Sequence, residues 1–186
     1  MRVLTIIFLF FLTNLELKAQ KDQELIYSDV VMIDGSSSFD LFKRGKIWFV
    51  GSFVNSNNVI QLENENDNII IGKGQFPYNP KIFNASARTV GIINYSIKLY
   101  FKDGRYKFEL TDFTHESRSV SNYVGIDFGL ITSESNCPNP KKGMGANWSD
   151  KVWNDIKEQI DFEVNQIIIS LKNGMQKQVQ SDSNDW

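Results

Sequence analysis

Any chemistry in this chain has to be built from few reactive side chains. It carries one histidine, His115, in Phe113-Thr114-His115-Glu116, and one cysteine, Cys137, in Asn136-Cys137-Pro138-Asn139-Pro140. A thiol nucleophile needs a base to take its proton, so a Cys137–His115 pair is a covalent-catalysis arrangement open to the chain. The spacing of the two carries no family signature, and no residue near Cys137 in sequence lowers a thiol pKa. Cys137 therefore reads as an unreactive loop thiol. His115 reads as a hydrogen-bonded or solvent-facing ring that, beside Glu116, titrates near neutral pH. A single His and a single Cys do not make a His/Cys zinc cluster, and no His-Glu-x-x-His run is present.

The remaining motifs are weaker. Gly72-Lys73-Gly74 precedes no helix start, so it is read as a strand needing close packing or backbone freedom, not as a phosphate cradle. The turn Asn64-Glu65-Asn66-Asp67-Asn68 is rich in oxygen ligands but lacks the central Gly and closing Glu of a calcium loop, which leaves a hydrated hairpin turn. Glu63 and Glu65 fall in that turn, and no Gly-x-Ser-x-Gly elbow exists. No catalytic residue, metal or cofactor is expected, and the chain is expected not to be an enzyme.

The elements that would position such residues follow from periodicity. Glu24–Ile33 is β-branched and reads as a strand closed by Asp34-Gly35. Ser36, Ser37 and Ser38 offer N-caps to a helix with Asp40 in its first turn, where the helix dipole favours an anion. Leu41, Phe42, Gly45, Trp48, Phe49, Ser52 and Phe53 share one face of that helix, and the small residues among them permit a close approach to a sheet. Strands are expected over Val59–Glu63 and Ile69–Phe76. The clearest pattern is the alternation of Ile93, Tyr95, Ile97, Leu99 and Phe101, answered by Tyr106, Phe108 and Leu110 beyond Asp103-Gly104. A two-residue turn there, of the kind that suits a type I′ hairpin, pairs Phe101 with Tyr106, Leu99 with Phe108 and Ile97 with Leu110, all on one face.

Glu116–Asn147 is expected to be a long irregular connection. A helix capped by Asn147 or Ser149, with Asp150 in its first turn, then carries Val152, Trp153, Ile156, Ile160, Val164, Ile167, Ile168 and Leu171 down one side and stops at Asn173-Gly174. The tail 176–186 is polar. The order predicts an α+β fold: an antiparallel sheet with one early and one long C-terminal helix on the same face, the other face open.

The first residues read differently. Arg2, the apolar run Val3–Leu12 and Leu17-Lys18-Ala19 before Gln20 have the order of a secretory signal peptide, residues 1–19; the run is too short for a membrane span. Export to the periplasm or medium is expected, with one domain over 20–175 and no membrane span after cleavage. Cleavage moves the formal net charge from −2 to −3. That balance offers no electrostatic case for nucleic acid or anionic lipid as a partner.

Gly72-Lys73-Gly74-Gln75-Phe76, Lys102-Asp103-Gly104-Arg105-Tyr106, Phe113-Thr114-His115 and Trp153–Ile160 with Leu171-Lys172 resemble, in this order, an exported bacterial domain-of-unknown-function family, number 4468, with a TBP-like fold. The resemblance implies a curved antiparallel sheet gripped by helices and an envelope or secreted location. It brings no activity and no catalytic residues, and a TBP-like fold does not by itself mean DNA binding. The expected function is a non-catalytic binding module for a small ligand or an envelope protein, with a structural or assembly role in the envelope as the alternative. The candidate binding residues are Tyr100, Phe113, His115 and Tyr123.

Overall fold

A computed structural model describes residues 24–52, 60–83, 85–119 and 124–177. The expected signal peptide, Phe53, Val59, Tyr123 and the tail from Gln178 to Trp186 lie outside them.

The elements are β1 (Tyr27–Met32), α1 (Ser38–Ser52), β2 (Ile60–Asn64), β3 (Ile69–Tyr78), a single helical turn α2 (Ser86–Thr89), β4 (Gly91–Lys102), β5 (Arg105–Ser117), the short β6 (Gly129–Leu130) and α3 (Ala146–Gln176). All pairings are antiparallel, in the order β1-β5-β4-β3-β2, with β6 on the far half of β5. The central hairpin has the register that its alternation requires: Phe101 faces Tyr106, Leu99 faces Phe108 and Ile97 faces Leu110. These six residues are buried beneath the helices. β3 runs through Pro77, which is placed where β2 no longer pairs, so its missing N–H costs no ladder bond.

The Asp103-Gly104 turn is not type I′. Such a turn needs positive φ at both central residues, and here only Gly104 has it, at 72°. The turn is docked instead against the start of α1. The Asp103 carboxylate accepts the Ser38 N–H at 2.7 Å, and the Gly104 N–H donates to the Ser36 carbonyl. Ser37 supplies the expected N-cap, its Oγ accepting the Asp40 N–H. α1 then buries Leu41, Phe42, Gly45, Trp48 and Phe49, while Ser52 is exposed at its end. Gly45 does permit close approach to the sheet: a Cβ there would lie 2.6 Å from Phe101 Cζ.

α3 differs from expectation at both ends. It starts at Ala146 on Gly145, with no side-chain cap. Ser149 lies inside the helix, its hydroxyl donating to the Gly145 carbonyl and accepting the Lys141 N–H. Asp150 falls beyond the first turn and accepts the Cys137 N–H. At the other end Asn173-Gly174 does not stop the helix, which continues to Gln176. Its 31 residues span roughly 46 Å at 1.5 Å each. Val152, Trp153, Ile156, Ile160, Val164 and Leu171 are buried as expected, and Ile167 and Ile168 are half-buried. Between Glu116 and Asn147 the described backbone is largely irregular, yet it sends Phe128, Ile131 and Cys137 into the core. No helix among the described residues is long and apolar enough to cross a membrane.

Candidate functional site

With α1 and α3 on one side, no helix among the described residues covers the other side of the sheet. Cross-strand register places Ser28, Val30 and Met32 of β1, Lys107 and Glu109 of β5, Lys98 and Tyr100 of β4, Ile69 and Ile71 of β3 and Leu62 of β2 on this side. Val30, Met32 and Leu62 are 50, 59 and 47 % exposed. Tyr100 sits at the centre, half-buried; its hydroxyl donates weakly to Glu109 Oε2 at 3.4 Å, and Lys107 Nζ stands 6.0 Å from its ring centroid. Glu109 also pairs with Lys107, and that hydrogen bond pushes the lysine pKa above its ordinary value. A shallow hollow of about 450 Å³ opens between Val30, Tyr100, Lys102, Arg105 and Lys107.

The face is cationic. Lys98, Lys102, Arg105 and Lys107 gather at the hairpin end of the sheet around the carboxylate of Glu109, in a chain whose formal net charge is −2. The even net balance hides this asymmetry. Its signal lay in the alternation itself, since Lys98, Lys102, Arg105 and Lys107 are among the residues that alternate with the buried ones of β4 and β5.

Of the described residues expected at a binding site, Tyr100 alone is on this face. Phe113 is fully buried. A simple alternation from Lys107 through Glu109 and Thr111 would point it outward, but β5 bulges. The register steps from Ser96↔Thr111 to Asn94↔Thr114, so Asp112 and Phe113 together oppose Tyr95. Asp112 adopts φ 59°, which reverses the phase and turns Phe113 inward, stacked on Tyr95 at 6.0 Å and edge-on to Tyr27 at 5.6 Å.

The same bulge buries His115. Its Nε2–H donates to the Thr89 carbonyl at 2.8 Å and its Nδ1 accepts the Phe128 N–H at 3.1 Å, partners that assign the neutral tautomer. Burial pushes its pKa down, away from the neutral titration expected beside Glu116. With both nitrogens engaged, the ring has none to offer Cys137. That thiol is itself buried, and burial raises its pKa. Tyr123 lies outside the described residues. In the β2–β3 turn, Asn64 Oδ1 accepts the N–H groups of Asn66 and Asp67, so its side chain serves the turn. Among the described residues no three His, Cys, Asp or Glu side chains converge on one point.

Two polar residues inside the molecule had escaped the sequence reading. Arg44 lies on the buried face of α1, and Asp155 on that of α3. Asp155 accepts from the Tyr78 hydroxyl, the Lys81 N–H and Gln159 Nε2. Arg44 stands four residues before Trp48 and Asp155 three after Val152, spacings that put each on the apolar stripe of its helix, which was a readable signal.

A twisted antiparallel sheet with two helices on one face and an open opposite face is the TBP-like class of α+β fold, and solved structures agree. The chain is similar to a TBP-like protein from Parabacteroides distasonis (17 % identity, TM-score 0.60, covering 84 % of this chain and 95 % of that one). It is also similar to a DUF4468 family protein from Bacteroides ovatus (17 % identity, TM-score 0.51, 80 % and 86 %). Residues 27–116, the sheet up to the end of β5 with α1, match the family model described as "Domain of unknown function (DUF4468) with TBP-like fold". The match covers just under half of the chain's 186 residues. No curated protein matches it.

Proposed function

We propose that the protein is an exported, non-catalytic binding module that docks an acidic partner protein of the cell envelope on the open face of its sheet. The observation that carries this reading is the pairing of exposed aliphatic side chains (Val30, Met32, Leu62) with a cluster of lysines around Tyr100 on one broad, shallow surface. Apolar side chains grouped on a surface and rimmed by charge suit a protein contact more than a small molecule, which prefers concave enclosure. The cations select an acidic partner and speed its encounter in a salt-sensitive way.

Two experiments test it. A photo-reactive phenylalanine at Tyr100 is expected to give a specific adduct in the protein's own cells, lost on Lys98→Glu with Lys107→Glu. The same probe at Glu158, on the solvent side of α3, is expected to give none. Equal adducts from both positions, or none from position 100, would overturn the docking reading. Fractionation with N-terminal sequencing is expected to find the mature chain outside the cytoplasm, beginning at Gln20; an intact Met1 in the cytoplasm would refute export.

A further inference from the structure

On the helix side of the molecule, remote from the open face, a groove of about 720 Å³ runs between α1 and the C-terminal half of α3, within the size range of small-molecule sites. Ile47 and Ile169, 57 and 54 % exposed, line it with Trp48, and Gly51 and Gly174 lack the side chains that would fill it. Arg44 lies in the same lining and is only 8 % exposed. Its Nη1 donates to the Met175 carbonyl at 2.9 Å, near the end of α3. Among the described residues its buried Nε has no partner, and no carboxylate pairs with the guanidinium. Lys177 adds a second cation, and among the described residues no Asp or Glu lines the groove.

A guanidinium held out of water without a counter-ion is costly, and the partial negative charge at the end of α3 offsets only part of that cost. Walls of isoleucine and tryptophan do not invite a hydrated inorganic anion. Together these features ask for one molecule with a carboxylate at one end and hydrocarbon at the other. We propose that this groove binds an aliphatic carboxylate of the fatty-acid type, with its head group on Arg44 and Lys177 and its chain along Ile47, Trp48 and Ile169. The site is separate from the sheet face and stands or falls without it.

Calorimetric titration of the mature protein with dodecanoate, and separately with dodecanol, tests the assignment. Dodecanoate is expected to bind one to one, and tighter than the alcohol by about tenfold to a hundredfold, the range for a charge-assisted hydrogen bond. Arg44→Met is expected to remove that preference, so that acid and alcohol bind alike. Because Arg44 is buried, Lys177→Glu provides a variant at an exposed position that sets a carboxylate against the ligand head group and weakens dodecanoate binding similarly. Equal affinity for acid and alcohol, full dodecanoate affinity in the folded variants, or no dodecanoate binding would each overturn the proposal.

Discussion

Gly174 of α3 lies against the indole of Trp48 on α1: a Cβ built on Gly174 would come 2.8 Å from Trp48 Cδ1 and 3.2 Å from its Cβ. The two helices cross where one of them has no side chain, and Trp48 Nε1 donates to Ser170 Oγ one turn earlier on α3. Gly174→Ala gains about 1 kcal/mol of helix propensity but forces an overpacking cost of about 1–3 kcal/mol, so net destabilisation is expected. Gly51→Ala, with no atom within 4 Å of its new Cβ, is expected to stabilise by about 0.5–1 kcal/mol. Urea midpoints of the two variants should therefore move in opposite directions. A rise for both would mean the crossing is looser than described.

The buried ring of His115 makes stability depend on pH with a definite sign. An imidazole in the unfolded chain takes up its proton near pH 6.5, and burial holds the folded value lower. Between the two values the unfolded state binds a proton that the folded state does not. Stability is then complete above pH 6.5 and falls as the pH is lowered to the folded pKa, by up to about 1.4 kcal/mol per pH unit. Asp127, whose carboxyl is held below its usual 3.8 by Ser117, acts only at lower pH. His115 is the one histidine in the chain, so His115→Gln is expected to flatten the difference in unfolding free energy between pH 7.5 and 5.5. Parallel pH profiles for the two proteins would refute this.

The hairpin was legible because two independent signals agreed: alternation on both strands and a two-residue turn between them. The bulge was not. One extra residue leaves no compositional mark beyond an aspartate tolerant of positive φ, and it reverses the facing of everything after it, which is why Phe113 was expected on the open face and the sequence left His115 open between a hydrogen-bonded and a solvent-facing ring. Gly174 was misread for a related reason: a glycine that ends a helix and one that admits a neighbouring ring look alike in sequence. Arg44 and Asp155 interrupt apolar stripes, and only contacts distant in sequence show what holds each of them. Phe128, Ile131 and Cys137 reach the core from irregular backbone, where no period announces burial.

The left-handed backbone at Asp112 gives the bulge its own test. Asp112→Gly removes the side-chain penalty of positive φ and is expected to be neutral or slightly stabilising. Asp112→Val adds a β-branched side chain to the same conformation and should cost about 1–3 kcal/mol. The loss of the Thr111 hydroxyl's bond to Asp112 Oδ2 is common to both variants, so the gap between them reports the backbone. If Val and Gly were equally tolerated, the bulge would lie elsewhere in β5.

Asp155 fastens the end of β3 to α3. All three of its hydrogen bonds converge on one oxygen, Oδ2: from the Tyr78 hydroxyl at 2.7 Å, the Lys81 N–H at 3.1 Å and Gln159 Nε2 at 3.1 Å. Gln159 extends the clasp by donating to the Asn79 carbonyl at 2.9 Å. Burial, reinforced by the Asp155 carboxylate, pushes the Tyr78 phenol far above its ordinary pKa, so that hydroxyl remains a donor. Asp155→Ala strands the buried Tyr78 hydroxyl and the Lys81 N–H together, at about 1–3 kcal/mol each, and should lower stability by about 3 kcal/mol or more. Asp155→Asn keeps an oxygen where the three donors meet and loses only the charge assistance, so about 1 kcal/mol is expected. Because Tyr78→Phe removes one of those donors, its cost and that of Asp155→Ala must fall short of additivity. A double-mutant cycle should give a coupling of about 0.5–3 kcal/mol. Strict additivity would show that the two side chains are not in contact, and the attachment of β3 to α3 would then rest on apolar packing alone.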